Sequence, residues 1–369
     1  MKVFIMHVPA GSGHQKAAEA VAAALQASKG NHQVQMLDAL DKADRWYRWC
    51  FTDGYLQLIQ KARLLWGVLY GLSDIPFLTG LSRWVHRVNN AWHGKGLEDF
   101  LSDQRPDVVI GTHFFPMEVA AFVKRSRRID MKLITVITDY VPHTWWTADG
   151  IDLYVVGSSI TREDLLKRGI PDSRIQVLGV PIHPKFSRSN DRASLANRFG
   201  LDPEKPTVLI GSGGLGTGPI VSLVQLMEKV PKSLQLLVVA GKNETLFRQL
   251  EALRPLKLHS MKVYGFIDNM DELMDVSDLM ITKPGGLTCA EAAAKGLALI
   301  FICPIPGQES RNLRVMEEIG FGITAHRLAD APVIVTRLFE NRQELDRIRR
   351  KAREIGLPRC AEQIAELVA

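Results

Sequence analysis

Apolar positions along this chain gather in short blocks, each followed by a glycine or polar turn and then by a stretch with helical composition. Val3–Met6, Val34–Leu37, Val108–Gly111, Leu133–Thr138 and Leu153–Val156 are the first such blocks. Nearly continuous apolar runs of this length suit strands covered on both faces, and the helical stretches between them predict a parallel α/β sheet. Gly179-Val-Pro-Ile-His-Pro184 interrupts the pattern with two prolines and is expected to act as a hinge. The plan then restarts: a strand at Thr207–Ile210, a glycine turn over Gly211–Gly218, and a helix from about Pro219. Further strands are expected at Leu234–Val239, Lys262–Tyr264, Leu279–Ile281 and Leu299–Ile302, and Val333–Ala369 reads as one or two closing helices. The expected division is 1–183, 184–345 and a helical segment 346–369. Two open α/β sheets joined in this way are expected to face a cleft that takes a small phosphorylated ligand.

Composition narrows the class. At 369 residues the chain exceeds one ordinary core, which agrees with two domains. With 46% hydrophobic and 23% charged residues it reads as a soluble globular protein. Cys50, Cys289, Cys303 and Cys360 form no C-x-x-C pair, which argues against a disulfide framework or a zinc site and fits a reducing cytosol. The longest uncharged run, Pro206–Met227, has a Gly/Ser/Pro-rich centre and reads as strand, turn and helix, not as a membrane span.

The net charge of +6 is unevenly placed. Arg45, Arg48, Lys61, Arg63, Arg83, Arg87 and Lys95 face only two acids, Asp53 and Asp74, over the same interval. Trp46, Trp49, Trp66, Trp84 and Trp92 lie there too, around the apolar stretch Leu64–Leu72. Tryptophan beside Lys/Arg suits the headgroup layer of an anionic membrane. The competing reading is a helical insertion whose tryptophans are core. No nucleic-acid recognition signature accompanies the charge, so no nucleic-acid partner is expected.

Two segments carry candidate chemistry. Gly11-Ser-Gly13-His14 turns the chain from strand to helix but lacks both the Gly-Lys-Ser/Thr of a P-loop and the third glycine of a dinucleotide fingerprint. It sets His14 at the carboxyl edge of a sheet, either as an active-site group or as a plain first-turn residue. Thr282-Lys-Pro-Gly-Gly-Leu-Thr288 leads into a second helix that carries Glu291, which either holds a ribose or only complements the helix dipole. Gln308, Glu309 and Asn312 follow the next strand of the same sheet and belong at the same edge. His113 either lines the ligand cleft or bonds to backbone. Trp145 and Trp146 either contact lipid or pack the domain, and Lys283 is either a phosphate neighbour or solvated.

Taken together, residues 280–288 (MITKPGGLT) and 306–309 (PGQE) resemble the monogalactosyldiacylglycerol synthase and processive diacylglycerol glucosyltransferase family, inverting enzymes of the two-Rossmann-domain (GT-B) type. Gly11-Ser-Gly-His14, Thr112-His113, Val136-Ile-Thr-Asp139 with Trp145, Asp152–Ser158 and Gly179–Ile182 match the family in order, so the resemblance runs from about residue 3 to about 325. Two features depart from it: the extra glycines of 211–218, and Val141-Pro-His-Thr144.

The resemblance implies that the C-terminal half binds a UDP-sugar, UDP-glucose or UDP-galactose. Gly213 and Gly214 would approach the diphosphate, Phe266 and Ile267 the uracil, Gly285, Gly286 and Thr288 the phosphates, Glu291 the ribose, and Gln308 and Glu309 the hexose. The N-terminal half would take diacylglycerol, with Gly11, Gly13, His113 and Trp145 around it. His14 would be the base, oriented by Asp139 or a neighbouring polar group. No cofactor or bound metal is expected, since no Asp-x-Asp motif occurs. The expected protein is a hexosyltransferase lying peripherally on the cytoplasmic face of an anionic membrane. A polyprenyl-linked cell-wall acceptor and UDP-sugar epimerisation are the alternatives.

Overall fold

The computed structural model describes residues 1–9, 11–75, 80, 85, 89 and 92–368. Arg83, Trp84 and Arg87 of the basic, tryptophan-rich interval lie outside the described residues. The chain forms two compact units.

The first unit comprises Met1–Pro184 together with Ile305–Arg311 and Pro358–Ala369. Its sheet holds β1 (Lys2–His7), β2 (Gln33–Asp38), β3 (Val108–Gly111), β4 (Lys132–Val136), β5 (Leu153–Val156) and β6 (Ile175–Val177). The order is β2-β1-β3-β4-β5-β6, with every pairing parallel. Side chains alternate between two cores. Phe4, Met6, Val109, Leu133 and Tyr154 face one, with Leu97, Leu101 and Phe115; Val3, Ile5, Ile110, Ile134 and Val155 face the other. Both faces of the inner strands β1, β3, β4 and β5 are therefore dry, which explains their apolar runs, whereas edge strand β2 is largely exposed.

The second core is completed from the far end of the sequence. Cys360, Ala361 and Ile364, on helix Cys360–Glu366, pack with Val3, Ile5 and Val21. The expected one or two closing helices are in fact three, Asp330–Glu340, Arg342–Ile355 and Cys360–Glu366. They are divided between the units: the first two belong to the second unit and the last to the first.

The second unit comprises Lys185–Pro304 and Asn312–Leu357. Its strands are β7 (Thr207–Gly211), β8 (Gln235–Val239), β9 (Ser260–Tyr264), β10 (Leu279–Thr282), β11 (Ala298–Ile302) and β12 (Ile323–Ala325). They run parallel in the order β12-β11-β10-β7-β8-β9. Each sheet thus reverses its direction of growth at one place, beside β1 and β3 in the first and beside β7 and β10 in the second. The loops leaving those strands diverge, and the gap between them at the carboxyl edge is where open α/β sheets take ligands.

Candidate functional site

In the first unit the loops at the switch point bring His14 against the residues that follow β3 and β4. His14 Nδ1 lies 2.7 Å from the carbonyl oxygen of Thr112 and 3.1 Å from Thr138 Oγ1. The Thr112 hydroxyl donates in return to the His14 carbonyl at 2.8 Å. A carbonyl oxygen only accepts, so the neutral ring carries its proton on Nδ1 and keeps the Nε2 lone pair free. Burial pushes the imidazole pKa down to about 4, partly opposed by the hydrogen bond to Thr112. At neutral pH His14 is therefore an uncharged ring with a fixed tautomer. Thr112 and Thr138 supply orienting groups, and Asp139 Oδ2 accepts from Gln308 Nε2 at 2.7 Å.

The turn leading to His14 is open. Gly11 has φ +83°, which favours glycine, and beyond the adjoining chain nothing would lie within 4 Å of a Cβ at either Gly11 or Gly13. Helix Gly13–Ala27 starts without a side-chain cap, so its first N–H groups are not satisfied by its own N-cap side chain.

His113 bonds to backbone, one of the two roles weighed for it, and stands beside His14. Its Nδ1 accepts from Phe115 N at 3.2 Å and caps helix Phe114–Ser126, while its ring stands edge-on to His14 with centroids 4.9 Å apart. The tryptophan pair splits. Trp146 is buried in the core, and Trp145 is half-buried against Phe114, His143 and Tyr70.

Sequence reasoning missed a buried ionic node in the same unit. Asp74, whose side chain is 4% exposed, receives Arg168 at 3.0 and 3.3 Å, Arg311, and the backbone N–H of Thr144 at 2.9 Å. Burial opposes its charge, yet Arg168, His143 and Arg311 outweigh burial and hold its pKa below the usual carboxylate range.

In the second unit, β7 ends in a turn that only glycine can make. Gly213, Gly216 and Gly218 have φ of +74°, +57° and +118°, and a Cβ at Gly216 would stand 1.9 Å from the Ala240 carbonyl oxygen. Gly213 is exposed and Gly214 half-buried. Lys283, just after β10, donates to Thr217 Oγ1 at 2.8 Å and so ties the two switch-point loops together; it is not merely solvated. Ser212 Oγ, buried in this turn, has no hydrogen-bond partner, a polar group that the sequence pattern did not single out.

Gly285 precedes helix Gly286–Lys295, again with no side-chain cap, and Thr288 lies in the first turn. Glu291, one turn further on, is half-buried. Phe266 exposes its ring beneath Lys242, whose Nζ lies 5.3 Å from the ring centroid, and Ile267 beside it is half-buried. Gln308 and Glu309 belong with the first unit; Glu309 Oε2 accepts from Ile305 N at 2.7 Å and closes its loop upon itself. Among the described residues, no group of three or more His, Cys, Asp or Glu side chains is placed to hold a metal ion.

Two parallel six-stranded sheets, each with a glycine turn and an uncapped helix at its switch point, define the two-Rossmann-domain, GT-B-like class. Acinetobacter baumannii MurG shares this fold, with a TM-score of 0.64 and 17% identity over 100% of this chain and 99% of that one. So does the UDP-GlcNAc 2-epimerase of Neisseria meningitidis, at 0.60 and 14% over 100% and 99%. Within that class the chain belongs to the monogalactosyldiacylglycerol synthase and processive diacylglycerol glucosyltransferase family.

The family model for monogalactosyldiacylglycerol (MGDG) synthase matches residues 14–182, and that for the glycosyltransferase family 28 C-terminal domain matches 207–315. The processive diacylglycerol beta-glucosyltransferase of Bacillus subtilis is 32% identical over 274 residues, covering 74% of this chain and 71% of that protein. Its namesake in Bacillus cytotoxicus is 29% identical over 372 residues, covering 100% and 93%.

Proposed function

We propose that this chain transfers glucose from UDP-glucose to the free hydroxyl of diacylglycerol, with inversion at the anomeric carbon. The observation that carries the reading is the fixed tautomer of His14, which leaves a neutral Nε2 lone pair at the switch point of the first sheet. His14 takes the proton of the acceptor hydroxyl as that oxygen bonds to the sugar's anomeric carbon. The bond from that carbon to the diphosphate breaks, and UDP departs with its negative charge.

In the second unit, the N–H groups around Gly213, Gly214, Gly285 and Gly286, with Thr288 and Lys283, meet the diphosphate at an uncapped helix N-terminus. Phe266 and Ile267 flank the base, Glu291 takes the ribose hydroxyls, and Gln308 and Glu309 read the hexose. Glucose is preferred to galactose because the relatives at 29–32% identity are named as glucosyltransferases. With backbone dipoles and a lysine meeting the departing charge, the transfer requires no resident metal or cofactor, and chelation is expected to leave turnover unchanged.

The acceptor comes from a membrane. Helix Arg63–Leu72 exposes Leu64, Leu65, Val68, Leu69 and Leu72 along one face, with Leu64 81% exposed. Exposed Trp46, Trp49 and Trp92 and the basic side chains around them suit an anionic surface. No described helix is long and apolar enough to cross a bilayer. In this reading the exposed apolar and basic side chains hold the chain peripherally on the cytoplasmic leaflet.

The test is turnover of purified protein with diacylglycerol in anionic vesicles and either UDP-glucose or UDP-galactose, following UDP release and lipid product. Lipid-dependent product from UDP-glucose supports the reading. UDP-sugar conversion without lipid, or product only from a polyprenyl-linked acceptor, overturns it.

A further inference from the structure

Residues 305–311 follow β11 of the second sheet, yet they pack with the first unit, and two polar fastenings three residues apart hold them there. Gln308 Nε2 donates to Asp139, and Arg311 pairs with Asp74. Residues at i and i+3 share a helix face, so both fastenings lie on one side of the first turn of helix Gln308–Ile319. Apolar contacts back them. A Cβ at Gly67 would fall 2.6 Å from that of Pro306, Gly307 takes φ +94° against Tyr70, and the Arg311 guanidinium lies 4.9 Å from the Tyr70 ring centroid.

Asp74 does more than pair with Arg311. It stands between two arginines, Arg168 and Arg311, and also accepts from the backbone of Thr144. Without its charge the two guanidinium groups would face one another across a buried site, so the carboxylate is what lets Arg311 stay. The first turn of this helix is therefore fixed by a buried node that touches neither nucleotide nor lipid in the account above.

We infer that Asp74, acting through Arg311, is a positioning residue for the donor sugar. Together with the Asp139–Gln308 hydrogen bond it holds Gln308 and Glu309 in the orientation that reads the hexose, so it governs sugar recognition without touching the sugar. This rests on the assignment of Gln308 and Glu309 to the hexose in the proposed function.

The test compares calorimetric affinities for UDP and for UDP-glucose in the full chain, and the KM for UDP-glucose against kcat, in wild type, Asp74→Asn, Arg311→Lys and Arg311→Met. The expected result is an affinity for UDP within about twofold of wild type, with UDP-glucose affinity lowered tenfold or more and KM raised in step. Arg311→Lys, which keeps the charge, should recover part of the loss seen in Arg311→Met. Should Asp74→Asn fail to fold, the two Arg311 variants decide alone, because methionine can still cover the Tyr70 ring. Unchanged UDP-glucose affinity in both, or equal losses for UDP and UDP-glucose, overturns the inference. A wild type that binds no UDP-sugar at all overturns the donor assignment beneath it instead.

Discussion

A neutral imidazole whose Nδ1 proton is committed to a carbonyl can act only as an acceptor at Nε2, and His14 is held in that form by Thr112. General-base assistance is worth about 10²–10⁴ in rate, so His14→Ala should lower kcat by that factor while UDP affinity stays unchanged. The depressed pKa also fixes the pH response. His14 and His143 are both buried, and burial brings each to about 4 from the ordinary 6.5. Between those values the unfolded chain binds protons that the folded chain refuses. The stability present above pH 6.5 is therefore lost as pH falls toward 4, by on the order of 3 kcal/mol for each histidine. Thermal unfolding at pH 7 and pH 5 should show the drop, while the base form persists and activity falls only as pH approaches 4. Gly216→Ala tests the other turn. It places a methyl against the Ala240 carbonyl at positive φ and should cost at least about 2 kcal/mol in chemical denaturation.

Helix Arg63–Leu72 divides into two faces at helical spacing. Leu64, Leu65, Val68, Leu69 and Leu72 point outward, and Gly67 and Tyr70 meet the 305–311 segment. Burying one exposed leucine in lipid is worth about 1.5–3 kcal/mol, so Leu64→Glu with Leu69→Glu should weaken sedimentation with anionic vesicles by at least about a hundredfold. UDP binding should not change. The sequence pattern revealed the apolar stretch but not its division, because the glycine and the tyrosine acquire a role only when residues some 240 positions away reach them. Strands show the same limit. β1, β3 and β5 were legible as apolar runs, whereas β6 and β12, three residues each and carrying Gln176 and Thr324 at their centres, sit at sheet edges and leave no pattern long enough to read.

Over the whole molecule, the parallel α/β plan and its glycine turns were legible because each turn directly follows its strand in the chain. The node at Asp74 was not, since Asp74, Arg168 and Arg311 are widely separated and each alone looks like a solvated charge. The closing helix was misjudged for a related reason: Cys360, Ala361 and Ile364 complete a core whose strands begin at residue 2. Deleting 358–369 should expose Val3, Ile5 and Val21 and lower the melting temperature of the first unit markedly, a change readable by calorimetry. The central claim is that His14 draws the proton from a lipid hydroxyl while the second unit holds UDP-glucose. Its most direct test is the rate of glucosyl diacylglycerol formation by wild type and His14→Ala in anionic vesicles, with UDP-glucose affinity measured on the same samples. The account predicts lipid product from wild type, a loss of at least about 10² in the variant, and equal donor affinity. Undiminished product from His14→Ala would contradict it.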